Sequence, residues 1–264
     1  IAQIKSNPLT ANFENTIEAF ERAGGLINAV SSIFFNLNSA NTSEAMQNMA
    51  QEISALLTSY SNDIMLDEEL FKKIELAYTE SERKVLRPDS SYLREKTYKS
   101  FVRNGAKLSD KKKQELKDIN NRLASIKLKF GENVLKDTNA FKLVLTSETE
   151  LDGLPDSEKA AAKLLAESKG IENAWVVNLD YPSYLPFMKY STNRELRKEL
   201  YLAFGARGFQ ANENNNEDLI KEIVALRLKK ANLLGFETYA DLILEERMAK
   251  STQKINTLWN QLLK

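Results

Sequence analysis

The 264-residue sequence predicts a mainly α-helical fold: a multi-helix array with a small two-stranded β element near 141–146 and 174–179. Three observations carry this. Nine glycines and five prolines make up about 5% of the chain, less than half the usual share of these helix breakers. Apolar residues recur at three- and four-residue steps along most of its length. Only two short stretches change period and become rich in β-branched and aromatic residues.

Along the chain, Ile17, Phe20, Ile27, Val30, Phe34 and Leu37 form one apolar face, which Gly24-Gly25 interrupts without having to end it. Phe34, Phe35 and the tyrosines read as packing residues. A second stripe joins Met46, Met49, Ile53, Leu56, Leu57 and Tyr60, with Asn41 and Glu44 spaced as an N-cap and its partner. Asp67 can cap a third helix carrying Leu70, Phe71 and Ile74, which places Glu68 and Glu69 at its positive end. Pro88 closes the segment before a helix through Tyr92, Leu93, Tyr98, Phe101 and Val102, which stops near Gly105. Ser109 then caps the longest helix, with Leu116, Ile119, Leu123, Ile126, Phe130 and Val134 on its buried side. These last two helices read as an antiparallel pair.

Phe141–Leu145 and Trp175–Leu179 are the β-rich runs, bridged by a helix that Pro155 opens and Gly170 ends. Helical signals resume over 184–190, 194–204 and 216–234, with a polar Asn-rich loop at 210–217 and Gly235 as a stop. A last helix over 251–264 carries Ile255, Leu258, Trp259 and Leu262. The chain begins at Ile1 without an initiator Met, has no signal-peptide layout, and ends without a C-cap glycine. It therefore reads as a processed or excised portion of a protein.

The 37 basic and 37 acidic residues cancel, which argues against a polyanion-binding role and predicts no nucleic-acid partner. No apolar run is long enough to span a membrane. With no Cys and no His, a Ser-His-Asp triad, a thiolate nucleophile and a His- or Cys-ligated metal are impossible within these residues.

The remaining polar groupings have plain structural readings. Gly205-Ala206-Arg207-Gly208 lacks the Gly-Lys-Ser/Thr ending of a phosphate loop and reads as a helix end. Lys111-Lys112-Lys113 reads as a solvated helix face. Asp63, Asp67, Glu68 and Glu69 lack calcium-loop spacing, so capping is their simpler role. Glu245-Glu246-Arg247, and Glu195/Glu199 beside Arg194/Arg197, read as helix-surface charge pairs. No glycosidase pair can be singled out among 37 acids. Asn41-Thr42-Ser43 is a formal glycosylation sequon. From the residues alone, this is a soluble helical unit without an autonomous active site.

The wording of several segments adds to this. Asn7-Pro8 followed by Phe13-Glu14-Asn15-Thr16-Ile17 resembles the TFENT segment of thimet-type, neurolysin-like zinc oligopeptidases. Residues 30–42, 101–109 and 137–141 are similar to the peptidyl-dipeptidase (dipeptidyl carboxypeptidase) branch of that family. Leu151-Asp152-Gly153-Leu154-Pro155 resembles its LxGLP, Asn193–Arg197 its NRxLR, and Leu226–Phe236 its LRxxxAxLLGF segment. The matches keep family order and span nearly all of the chain.

The resemblance implies a mostly helical protein with its site deep in a channel between two lobes. It implies a zinc held by the two His of an HExxH helix and a downstream Glu, with short peptides as substrates. This chain matches the part before that motif, so no catalytic, cofactor-binding or metal residue is carried over to any position here. Residues 1–264 are then the N-terminal helical region of a larger zinc peptidase, with 138–180 as the place for any subdivision. The C-terminal catalytic region is absent and would be its intramolecular partner. Arg194 or Arg197 is a candidate to face the channel, though pairing with a neighbouring Glu is the simpler reading. The fragment would be inactive, the whole protein would release C-terminal dipeptides, and the expected compartment is the cytoplasm, or the periplasm if a leader is removed. The alternative is a free-standing helical module that binds peptides or a protein without catalysis.

Overall fold

The computed structural model describes residues 1–82 and 85–263. The chain divides into two compact units, Ile1–Ile126 with Glu222–Lys264, and Lys127–Lys221.

The first unit opens with α1 (Ala2–Ser6), then a π-helical turn, Phe13–Glu18, that runs directly into α2 (Ala19–Arg22). Asn12 and Asn15 fix the turn by exchanging side-chain-to-backbone bonds of 2.9 Å in both directions. Here the sequence reading needs correction. The apolar run from Ile17 to Leu37 is broken by a turn at residues 23–24, and α3 (Gly25–Ala40) starts afresh. Ile17 is fully buried, but α3 has no buried residue, and Leu26, Val30, Ile33 and Leu37 are exposed. Phe34 and Phe35 are half-buried and meet edge to face at 5.1 Å.

Ser43, not Asn41, caps α4 (Glu44–Met65), since its hydroxyl accepts from the Met46 N–H. Asn41 instead ends α3. Asp67 caps α5 (Glu68–Glu82) through Leu70 N–H at 2.8 Å, as its position predicted. Pro88 stands in the first turn of α6 (Pro88–Arg103), where its missing N–H costs nothing. The ring of Phe71 stacks on Tyr98 and Phe101, and Tyr78 stacks on Tyr98 at 4.3 Å, so α6 presents its aromatic face to α5 rather than to the helix that follows it. Gly105, at φ +94°, makes the turn after α6; a Cβ there would lie 2.6 Å from Leu116. Ile4, Phe13, Ile17, Leu70, Ile74 and Phe101 are the centre of this core.

The longest helix, α7 (Asp110–Ala140), starts after Ser109 and bonds sideways to α4, where Asn120 donates to Asn62 at 2.8 Å. Leu116, Ile119, Leu123 and Ile126 are buried as the period predicted, and Phe130 and Val134 partly so. In the second unit β1 (Leu143–Leu145) pairs antiparallel with β2 (Trp175–Val177), with Val144 opposite Val176. Between them come a single 3₁₀ turn, Glu148–Leu151, and α8 (Asp156–Ser168), which packs on β2. Then follow α9 (Tyr181–Tyr190) and α10 (Arg194–Gly205), capped by Asn193. Leu143, Leu145, Val177, Phe187 and Leu200 close this core.

The chain then passes through α11 (Glu217–Leu233), α12 (Tyr239–Leu244) and α13 (Thr252–Leu262). Gly235 ends α11 with φ +88°. The short α12 is set by a capping box of Thr238 and Asp241. Leu258, Trp259 and Leu262 of α13 are exposed, and α13 buries no residue.

Candidate functional site

In the first unit the residues of α1 to α4 frame a groove of about 450 Å³. Phe20, Ile27, Leu57, Ile64 and Met65 line it together with the polar Glu21, Asn28, Ser31 and Ser61. A second depression of about 550 Å³ holds Lys5, Asp63, Asp67 and Glu69. Ile1, Tyr60 and Ile64 line both, so the two form one trough, apolar at one end and acidic at the other. The sequence does not reveal it, because its walls come from segments nearly seventy residues apart, Ile1 to Glu69.

The acidic cluster noted in the sequence is divided among separate partners. Lys5 Nζ lies 2.6 Å from Asp67 and 3.1 Å from Glu69, Asp63 pairs with Lys117 at 2.7 Å, and Glu68 with Lys72 at 2.6 Å. Partial burial works against the charge of Asp67, but the Leu70 N–H and Lys5 outweigh it and hold the carboxyl below its ordinary value. Its bonds to Asp67 and Glu69 raise Lys5 above its own ordinary value. Among the described residues, no three acids converge closely enough to hold a metal.

Glu245 and Glu246 are not a local surface pair. They reach back to α6: Glu246 binds Lys96, and Lys99 at 2.5 Å, while Arg103 pairs with Glu245 and donates to the Leu242 carbonyl. The side-chain bonds from Lys96 and Lys99 overcome partial burial and hold Glu246 at about 2. Similarly, Arg197 donates to the Ser191 carbonyl rather than to a glutamate, and Glu195 pairs with Lys198 at 3.9 Å. Of the lysine triplet, Lys111 and Lys112 are exposed as expected but Lys113 is buried.

In the second unit the Gly205–Gly208 segment is a helix end. Arg207 lies 3.6 Å over the Phe204 ring and donates to that residue's carbonyl. The Asn-rich loop after it is organised by a residue the sequence did not single out. Asp137, buried on α7, accepts from Gly208 N–H at 2.7 Å, from the Asn214 amide at 2.8 Å and from the Asn212 amide at 3.0 Å. Burial disfavours its charge, but these three donors prevail and lower its pKa. Asn133 donates to Asn216 at 2.8 Å alongside. No sequence signal marks it, since Glu132, Asn133, Lys136, Thr138 and Asn139 surround it with other polar residues.

Among the described residues, every carboxylate with a resolved shift is lowered and every lysine raised, each by its ion-pair or hydrogen-bond partners. No helix among the described residues is long and apolar enough to cross a membrane.

Comparison with known proteins places the chain. Residues 187–264 match the model described as Peptidase family M3. The chain is 32% identical over 253 residues to the dipeptidyl carboxypeptidase of Escherichia coli (strain K12), an alignment covering 96% of the chain and 37% of that relative. It is 33% identical to the oligopeptidase A of Haemophilus influenzae over 251 residues, covering 92% of the chain and 36% of the relative. To the organellar oligopeptidase A of Arabidopsis thaliana it is 40% identical over 157 residues, 57% of the chain and 20% of the relative. The chain spans little more than a third of the length of the bacterial relatives it matches. With a mainly helical fold and an ordered likeness to these peptidases along nearly its whole length, the chain is similar to peptidases of family M3.

Proposed function

We propose that residues 1–264 are the N-terminal, channel-wall part of a zinc metallopeptidase that hydrolyses short peptides and releases C-terminal dipeptides. The observation that carries this reading is the alignment with dipeptidyl carboxypeptidase along 96% of the chain, while only 37% of that relative is covered. The wall would admit short, unstructured peptides and exclude folded proteins, and its partner would be the catalytic region of the same polypeptide. Cytoplasm is the favoured compartment, with periplasm if a leader is removed.

The zinc of the whole enzyme does not fit the residues present here. The chain has neither His nor Cys, and among the described residues no three acids come together as a metal-binding group. On this reading the 264-residue chain cleaves nothing alone. Incubating it with zinc and an N-blocked oligopeptide, with products read by mass spectrometry, should show no dipeptide release. Robust metal-dependent release would overturn the proposal. Sequencing the gene beyond the Lys264 codon should reveal an HExxH segment; a stop codon there would favour a free-standing peptide- or protein-binding module.

A further inference from the structure

The end of the first unit places an apolar helix face in water. The start of α13 is fixed. Lys250 turns the chain at φ +63°, its ammonium donates to the Glu245 carbonyl at 3.1 Å, and the Ser251 hydroxyl accepts from the Lys254 N–H. Glu245 and Glu246 are tied in turn to α6, so the helix starts from an anchored base. It packs against α12, yet ten of its eleven residues are exposed and none is buried. Ile255, Leu258, Trp259 and Leu262 have the spacing of a face that meets another element. The helix carries a single charge, Lys254, in a chain where 28% of residues are charged. Few charges around an aromatic anchor is the composition of an interface centre, not of a solvated face. A helix this short is also marginal in water without packing.

We infer that the face of Ile255, Leu258, Trp259 and Leu262 is the seat of a segment of the same polypeptide that follows residue 264. Two observations select this occupant. Helix α13 lies within 187–264, the stretch that matches Peptidase family M3, and the alignment leaves most of the dipeptidyl carboxypeptidase uncovered. The available area points the same way. An eleven-residue helix is about 16 Å long and about 10 Å across, so pairing with its copy would bury only a few hundred Å² in all. Stable associations between separate chains start near about 1,200 Å². A tethered segment needs far less, because the covalent link supplies an effective concentration of about millimolar. The inference rests on the proposed place of these residues in a longer peptidase, and it names the surface that would hold the catalytic region.

The test compares hydrogen–deuterium exchange of residues 252–262 in the 264-residue chain and in the full-length polypeptide. These amides should exchange at least about a hundredfold more slowly in the longer protein. There, Trp259→Glu and Leu262→Glu should abolish the protection, while Gln253→Glu, on the opposite face, should keep it within about threefold. In the 264-residue chain none of the three should move the urea midpoint, since all three positions are already exposed. Equal exchange in the two proteins would overturn the inference, as would equal loss of protection from all three substitutions. A dimer of the 264-residue chain in sedimentation that Trp259→Glu dissociates would give the face to a second copy and overturn it too. If the glutamate variants of the longer protein do not fold, exchange in the two unsubstituted proteins decides alone. Failure of the peptidase reading looks different: α13 would be protected in a full-length polypeptide that cleaves no blocked oligopeptide.

Discussion

Among the described residues Asp137 has three donors, none of them a cation: Gly208 N–H and the amides of Asn212 and Asn214 all aim at its two oxygens. Its charge is stabilised by dipoles alone, so the loop after α10 and the carboxylate hold each other. Asp137→Ala leaves those donors without their acceptor, and the 264-residue chain should lose about 2–4 kcal/mol of stability in urea denaturation. Asp137→Asn, which keeps one acceptor, should lose less. Glycines can be ranked by the same reasoning. Gly153 has φ +88°, and a Cβ there would sit 2.2 Å from the Tyr190 carbonyl oxygen. Gly170 has φ +68° with nothing within 4 Å of the added carbon. Gly170→Ala therefore meets only backbone strain, about 1 kcal/mol, whereas Gly153→Ala must also displace main chain and should cost at least about 2 kcal/mol more, read as the difference in urea midpoint.

At the scale of the element, α3 and the turn before it make opposite predictions from similar residues. Ile17 is fully buried among Leu70, Ile74 and Phe101, so Ile17→Ala should cost about 2–4 kcal/mol. Val30, 59% exposed on α3, should tolerate Ser or Lys within about 1 kcal/mol in the same denaturation series. Periodicity treats these residues alike, since it records that a helix face is apolar and not what lies against it. That difference marks how far the sequence could be read. Caps and strands were legible because their signals are local: Asp67 before α5, Pro155 before α8, and β-branched runs either side of it. The π-helical turn and the six-residue α12 were not, because one turn of helix gives no period to count. Lys96 and Glu246 are 150 residues apart, and the trough draws on 1–31 and 57–69, so only the folded chain brings these groups together.

For the whole molecule, equal numbers of acids and bases mean that acid converts a neutral chain into a strongly cationic one, and folded-state ion pairs decide how late that happens. The bond between α6 and the end of α12 is the strongest such brake, since Lys96, Lys99 and Arg103 enclose Glu246 and Glu245. Glu246 is about a quarter exposed, and its pKa is lowered from 4.5 to about 2. A lowered carboxylate contributes its full stabilisation above its unfolded pKa and loses it as pH falls through the folded one. Lys96 is raised from 10.5 by the same bond, so its share is complete below that value and is lost only in alkali. Glu246→Gln should therefore be less stable than the parent chain by on the order of 2–3 kcal/mol at neutral pH. The gap should fall to less than half by about pH 3 and close near pH 2. Urea midpoints of both chains across this range measure it directly. A constant gap would mean that the glutamine disturbs packing rather than charge, and Glu246 would then have no part in the acid response.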